Sequence, residues 1–202
     1  LGWSHRAVTQ AAQKTPSDWE TLCTNAFLRL VYWVERYKVP AELVINADQT
    51  GVVILPAGKE TWAECGAKQV AGVAKEEKRQ YTLMVGSSAS GDMLPFQAIW
   101  SGKTAKSLPE PKLRAPGEKQ GHRWVPGGER HWSTLETMKK WVVDVLIPYI
   151  RRQKRKLGLP KSAMTILILD CWTVHRSEAF LTWMKGEHGN IRLVFIPGGC
   201  TF

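Results

Sequence analysis

Two aspartates stand where an unpartnered charge would be hardest to keep. In "MTILILDCWTVH" an apolar, β-branched run leads straight into Asp170, and in "ELVINADQTGV" a second run leads into Asp48. A carboxylate at the end of a buried strand costs on the order of several kcal/mol unless it is paired or holds a metal. Ligands of open α/β sheets gather at the carboxyl ends of strands. Two carboxylates brought together there cannot both stay ionised cheaply without a cation between them. Hard oxygen ligands with no Cys or His cluster beside them suit Mg²⁺ or Mn²⁺. The same residues also fit turn chemistry, with Asp48 making an Asx turn into Thr50-Gly51 and Asp170 capping the turn before the next helix.

Other residues carry chemistry of a different kind. His175 orders the loop behind Asp170, contacts DNA, or is a hydrogen-bonded structural histidine. The run Arg151, Arg152, Lys154, Arg155 and Lys156 is a nucleic-acid or nuclear-localisation cluster, or else a solvated helix C-terminus whose cations favour the dipole. Trp100, Trp124, Trp132 and Trp172 lie near predicted loops, where they stack on unpaired bases or pack the core and its lids.

The elements that must position these residues follow from periodicity. Residues 17–38 carry an i, i+3, i+4 apolar stripe that predicts an amphipathic helix, with Ser17 and Glu20 as a capping box and Pro40 closing it. A short strand then ends at Asp48. Residues 56–79 read as loop, and "QYTLMVGSS" and "MLPFQAIW" predict a hairpin joined by Ser90-Gly91-Asp92. Residues 104–130, rich in Pro, Gly, Lys and Glu, predict a long inserted loop. A helix opens at Ser133 with Glu136 as its box, kinks at Pro148 and stops at Gly158 and Pro160. The strand before Asp170, a helix over about 177–185 and a last strand, "IRLVFIP", complete the order. Strand–helix–strand units imply parallel neighbours and the hairpin antiparallel ones, so a mixed sheet flanked by helices is expected.

Composition narrows the partners. The chain has 202 residues, with 28 Lys and Arg against 18 Asp and Glu, a net charge of +10 and a pI near 9.6. Such an excess favours a polyanion, since basic surface displaces counterions from phosphates. Cys23, Cys65, Cys171 and Cys200 lie far apart, so neither a zinc knuckle nor a disulfide framework is suggested, and a reducing compartment is expected. No run is long and apolar enough for a bilayer and no signal peptide is recognisable, so a soluble intracellular protein without a membrane partner is expected. Both ends, Leu1 and "IPGGCTF", look like cuts through something longer.

Several blocks resemble, in order, the pogo/mariner-like DDE transposases: "NADQTGV", "GAKQV" followed by "EKRQYTLMV", "LPFQAIWSGKT", "HWSTLETM", "LILDCWTVH" and "VFIPGGCT". The resemblance implies an α/β, RNase H-like fold with a mixed five-stranded sheet flanked by helices. It makes residues 1–40 a linker and packing helix, and 41–202 a catalytic core expected to be incomplete at its C-terminus and impaired as a fragment. It implies a DNA endonuclease or strand-transfer core acting on phosphodiesters with Mg²⁺ or Mn²⁺, in which Asp48 bridges the ions and Asp170 completes the first site. It also implies a nuclear location and a homodimer assembled on DNA. The family's third acid lies beyond the "PGGCT" turn, past Phe202, and its N-terminal helix-turn-helix region is not seen. Glu178, Glu187 and Asp92 are the substitutes within the chain. The alternatives are a domesticated module that binds nucleic acid or protein without catalysis, or a nuclease of RNA or hybrid duplexes.

Overall fold

Alternating burial on the central strands decides how this molecule is layered. The computed structural model describes residues 16–54 and 80–200. In chain order these form α1 (Trp19–Tyr37), β1 (Val44–Val53), β2 (Gln80–Ser88), β3 (Gln97–Trp100), α2 (Pro111–Lys119), β4 (Arg123–Pro126), α3 (Leu135–Trp141), a π-helical turn (Val142–Leu146), α4 (Ile147–Lys156), β5 (Thr165–Leu169), α5 (Glu178–Glu187) and β6 (Ile191–Phe195). The six strands make one mixed sheet in the order β4-β3-β2-β1-β5-β6. β1–β2 and β2–β3 are antiparallel, while β3–β4, β1–β5 and β5–β6 are parallel. Along β2, Thr82, Met84, Gly86 and Ser88 are buried while the residues between them are only half-buried, the period-two signature of a sheet with one covered face.

The covering layer is the long helical segment that starts at α3. Its Met138, Trp141, Val142, Val145, Leu146, Tyr149 and Ile150 are buried with Ile45 and Ala47 of β1 and Ile166 and Leu167 of β5. Trp141 needs room on the sheet, and the cross-strand pair Ala47–Gly86 provides it. A Cβ on Gly86 would lie 3.2 Å from the Trp141 ring and 3.4 Å from Leu94, so a larger residue would push the helix off β1 next to Asp48. α1 lies against β6 at the far edge, where Arg192 stacks on the Trp33 ring at 4.3 Å.

The structure corrects several expectations. The sheet has six strands rather than five, because residues 104–130 contain α2 and the short edge strand β4, which pairs with β3. β1 does not end at Asp48 but runs on to Val53, held by β2 throughout. Helix α1 has Asp18 at its N-cap with no side-chain capping bond, so the Ser17–Glu20 box does not form. The box at α3 lies one residue on, between Thr134 and Thr137. The helix does not simply kink at Pro148. It widens into the π turn just before it, where the Ile147 N–H donates to the Val142 carbonyl, which relieves the clash between the proline ring and the preceding turn. The expected loop at 56–79 and the linker at 1–15 lie outside the described residues, as does the "GAKQV" block.

Candidate functional site

The register of β1 on β5 brings the two aspartates together. The parallel ladder pairs Val44 with Ile166 and Asn46 with Ile168. Continued by two residues, the same register sets Asp48 beside Asp170. Asp48 is exposed in mid-strand, opposite Val85 of β2. Its Oδ1 accepts a 2.7 Å bond from the backbone N–H of Gln49, and because the strand continues, no Asx turn forms there. Asp170 is the first residue after β5 and is half-buried.

A hydrogen-bonded chain stands behind Asp170. His175, only 1% exposed, donates from Nδ1 to Asp170 Oδ1 at 2.6 Å. The amide Nε2 of Gln49 lies 3.3 Å from His175 Nε2. With the amide in this orientation its N–H faces His175 Nε2, an arrangement that suits a ring whose proton is on Nδ1 and faces the carboxylate. The Trp172 and His175 rings pack in a T shape with their centroids 5.3 Å apart. Asp48, Asp170, Gln49 and His175 line one cavity of about 300 Å³. Thr82 and His131, whose Oγ1 and Nδ1 are 3.2 Å apart, also line it, as does Trp132, 56% exposed. His131 escapes sequence reading because nothing local marks it, and Thr82 belongs to a distant strand. Gln49 could have been noticed from its place next to Asp48.

The donor set fits a hard divalent ion in part. Each of the two carboxylates has one oxygen engaged, Asp48 by the Gln49 N–H and Asp170 by His175. Magnesium commonly takes one or two carboxylates and keeps several waters, which suits this pair. Among the described residues no group of three or more His, Cys, Asp or Glu side chains converges as a metal site. The substitute acids do not join the pair. Asp92 lies at the other end of the sheet, where its Oδ2 accepts from Gln153 Nε2 at 2.7 Å and Tyr149 Oη at 3.1 Å. Glu178 and Glu187 are exposed on α5 and are absent from the cavity wall.

The basic cluster is divided by its helix. Arg151, Arg152, Arg155 and Lys156 are exposed, but Lys154 is buried with 4% exposure. Its Nζ donates to the carbonyls of Lys161 and Ala163, and burial lowers the pKa of the ammonium. Lys154 therefore holds the turn before β5, apart from its exposed basic neighbours. The remaining cations sit at the entrance to β5, the end opposite Asp170. β5 itself is roughly 17 Å long, five residues at about 3.3 Å each.

Comparison with known proteins agrees with this architecture. No family model matches the chain. It is 29% identical over 160 residues to the Jerky protein homolog of Homo sapiens, an alignment covering 78% of this chain and 26% of that protein. Its fold matches the crystal structure of a pre-cleavage Mos1 transpososome with a TM-score of 0.55 at 9% identity, covering 96% of this chain and 47% of that one. The Mos1 mariner paired end complex with Mn gives a TM-score of 0.53 at 11% identity with the same coverage. The chain thus spans about a quarter of the curated relative and under half of the structural ones. It shares its fold with part of these mariner transposase structures, a mixed α/β sheet of the kind the motif resemblance implied.

Proposed function

We propose that this chain is a transposase-derived catalytic core that acts on DNA phosphodiesters with a divalent metal. The observation that carries the reading is that Asp48 on β1 and Asp170, just after the parallel neighbour β5, both line one cavity. These two carboxylates would hold Mg²⁺ or Mn²⁺, and the bound ion would supply electrostatic stabilisation of the charge that develops on phosphate oxygens. The chain's own residues set the geometry. β2 keeps Asp48 fixed in mid-strand, and His175 as a supporting residue restrains Asp170. The net charge of +10 favours DNA over a neutral partner. Arg151, Arg152, Arg155 and Lys156 would meet phosphates away from the acids. A homodimer on DNA and a nuclear location belong to the same reading. Among the described residues no helix is long and apolar enough to cross a membrane.

One observation favours a second reading, a domesticated module that binds DNA or protein without cutting. The cavity holds two carboxylates, and among the described residues no third converges on them. Two-metal chemistry clamps both the attacking and the leaving oxygen, and in-line attack loses orientation when one clamp is missing. Incubation with supercoiled DNA separates the two. The first reading expects slow nicking, stronger in Mn²⁺ than in Mg²⁺ and abolished by Asp48→Asn and by Asp170→Asn. DNA binding without nicking in either metal supports the second, and nicking indifferent to both substitutions contradicts the first.

A further inference from the structure

We propose that Gln49 is a positioning residue which fixes the His175 tautomer and, through it, the orientation of the Asp170 carboxylate. The inference deepens the metal-site reading and rests on it for the importance of Asp170, although the brace itself is a matter of hydrogen bonding. Its starting point is a gap in the backbone. The β1–β5 ladder ends at Asn46–Ile168, so no main-chain hydrogen bond of that ladder ties the strands at the level of the two acids. The link found there is made of side chains. Gln49 reaches from β1 to His175, and His175 reaches back to Asp170.

Each member of this link constrains the next. Imidazole has two nitrogens, and the neutral ring carries its proton on one of them. An amide N–H directed at Nε2 requires that nitrogen to be bare, which leaves the proton on Nδ1. The proton then points at Asp170 Oδ1 and pins that oxygen, leaving the other free for a ligand. Without the Gln49 donor, the proton could move to Nε2 and two lone pairs would face each other between Nδ1 and the carboxylate. Burial of the ring behind Trp172 keeps water from substituting easily for Gln49. Such supporting bonds behind metal ligands commonly change metal affinity by about 10- to 100-fold when removed. Gln49 thereby joins the strand of one acid to the carboxylate of the other.

The proposal is tested on the ¹⁵N-labelled chain by long-range ¹H–¹⁵N correlation spectra, which report which ring nitrogen of His175 carries the proton, with all samples at one alkaline pH. The His175 signals are assigned by their loss in His175→Gln. In the wild type the Nδ1–H form is expected. Gln49→Glu, nearly the same shape but an acceptor, should remove the bare-Nε2 signature, and Gln49→Met should leave a mixture of tautomers. Both variants should remain folded, with melting temperatures lowered by no more than the loss of one buried hydrogen bond explains. Mn²⁺ affinity, read by water-proton relaxation, should fall about tenfold in Gln49→Met. An Nε2–H wild type, or a pattern unchanged by Gln49→Glu, overturns the brace. A wild type that binds no Mn²⁺ yet shows the Gln49-dependent Nδ1–H form retains the brace and removes the metal reading, so the two fail separately.

Discussion

At the scale of single residues, polar groups in this molecule are understood by asking what each one is bonded to. Asp92 and Lys154 both look available in the sequence, and both are consumed by structure. Asp92 ties the β2–β3 turn to α4 through Gln153 and Tyr149, and Lys154 caps carbonyls ahead of β5. His188 is a different case. It closes α5 against the Trp183 ring at 4.9 Å, and its Nε2 is buried without a hydrogen-bond partner among the described residues. Burial depresses its pKa below the ordinary value of about 6.5, with Arg151 adding to the effect and Glu187 opposing it. The unfolded chain therefore binds a proton at His188 before the folded one does. Stability should be highest above about pH 6.5 and should fall as pH drops toward the depressed folded value. Urea unfolding at a series of pH values should show this slope in the wild type and a flatter one in His188→Gln, and equal slopes would show that the ring does not contribute.

Secondary-structure elements decide which charges can act together. In α4, Tyr149, Ile150, Gln153 and Lys154 form the buried face, spaced at one, four and five residues as the helical period requires. That face separates Lys154 from its basic neighbours, and the sequence did not announce it because two of its four members, Gln153 and Lys154, are polar. The exposed Arg151, Arg152, Arg155 and Lys156 remain as one patch at the end of the sheet away from the acids. Replacing these four with Gln should weaken DNA binding equally for unrelated sequences. It should also flatten the plot of log affinity against log salt by about 0.9 for each phosphate that is no longer neutralised. Mn²⁺ affinity should not change. A salt slope that stays as steep as in the wild type would make the patch an ordinary solvated helix end.

At the scale of the whole molecule, the long strongly patterned segments were legible and the weakly patterned ones were not. β1, β2, β5 and β6 announce themselves by apolar or β-branched runs, and the acids at the ends of two such runs pointed to their meeting. β4 is four residues long, ends in proline and is surrounded by polar residues. Its strand conformation depends on pairing with β3, which no local pattern encodes. The Gln49–His175 contact was hidden for a related reason, because the two residues are brought together only by the β1–β5 register. The His131 wall likewise exists only once β2 and the segment before α3 are assembled. Whether Asp48 and Asp170 act as one site is measured directly by Mn²⁺ titration followed by water-proton relaxation. A single saturable site in the wild type, weakened at least about tenfold by Asp48→Asn and equally by Asp170→Asn, is the expected result, whereas affinity unchanged in both variants would contradict it.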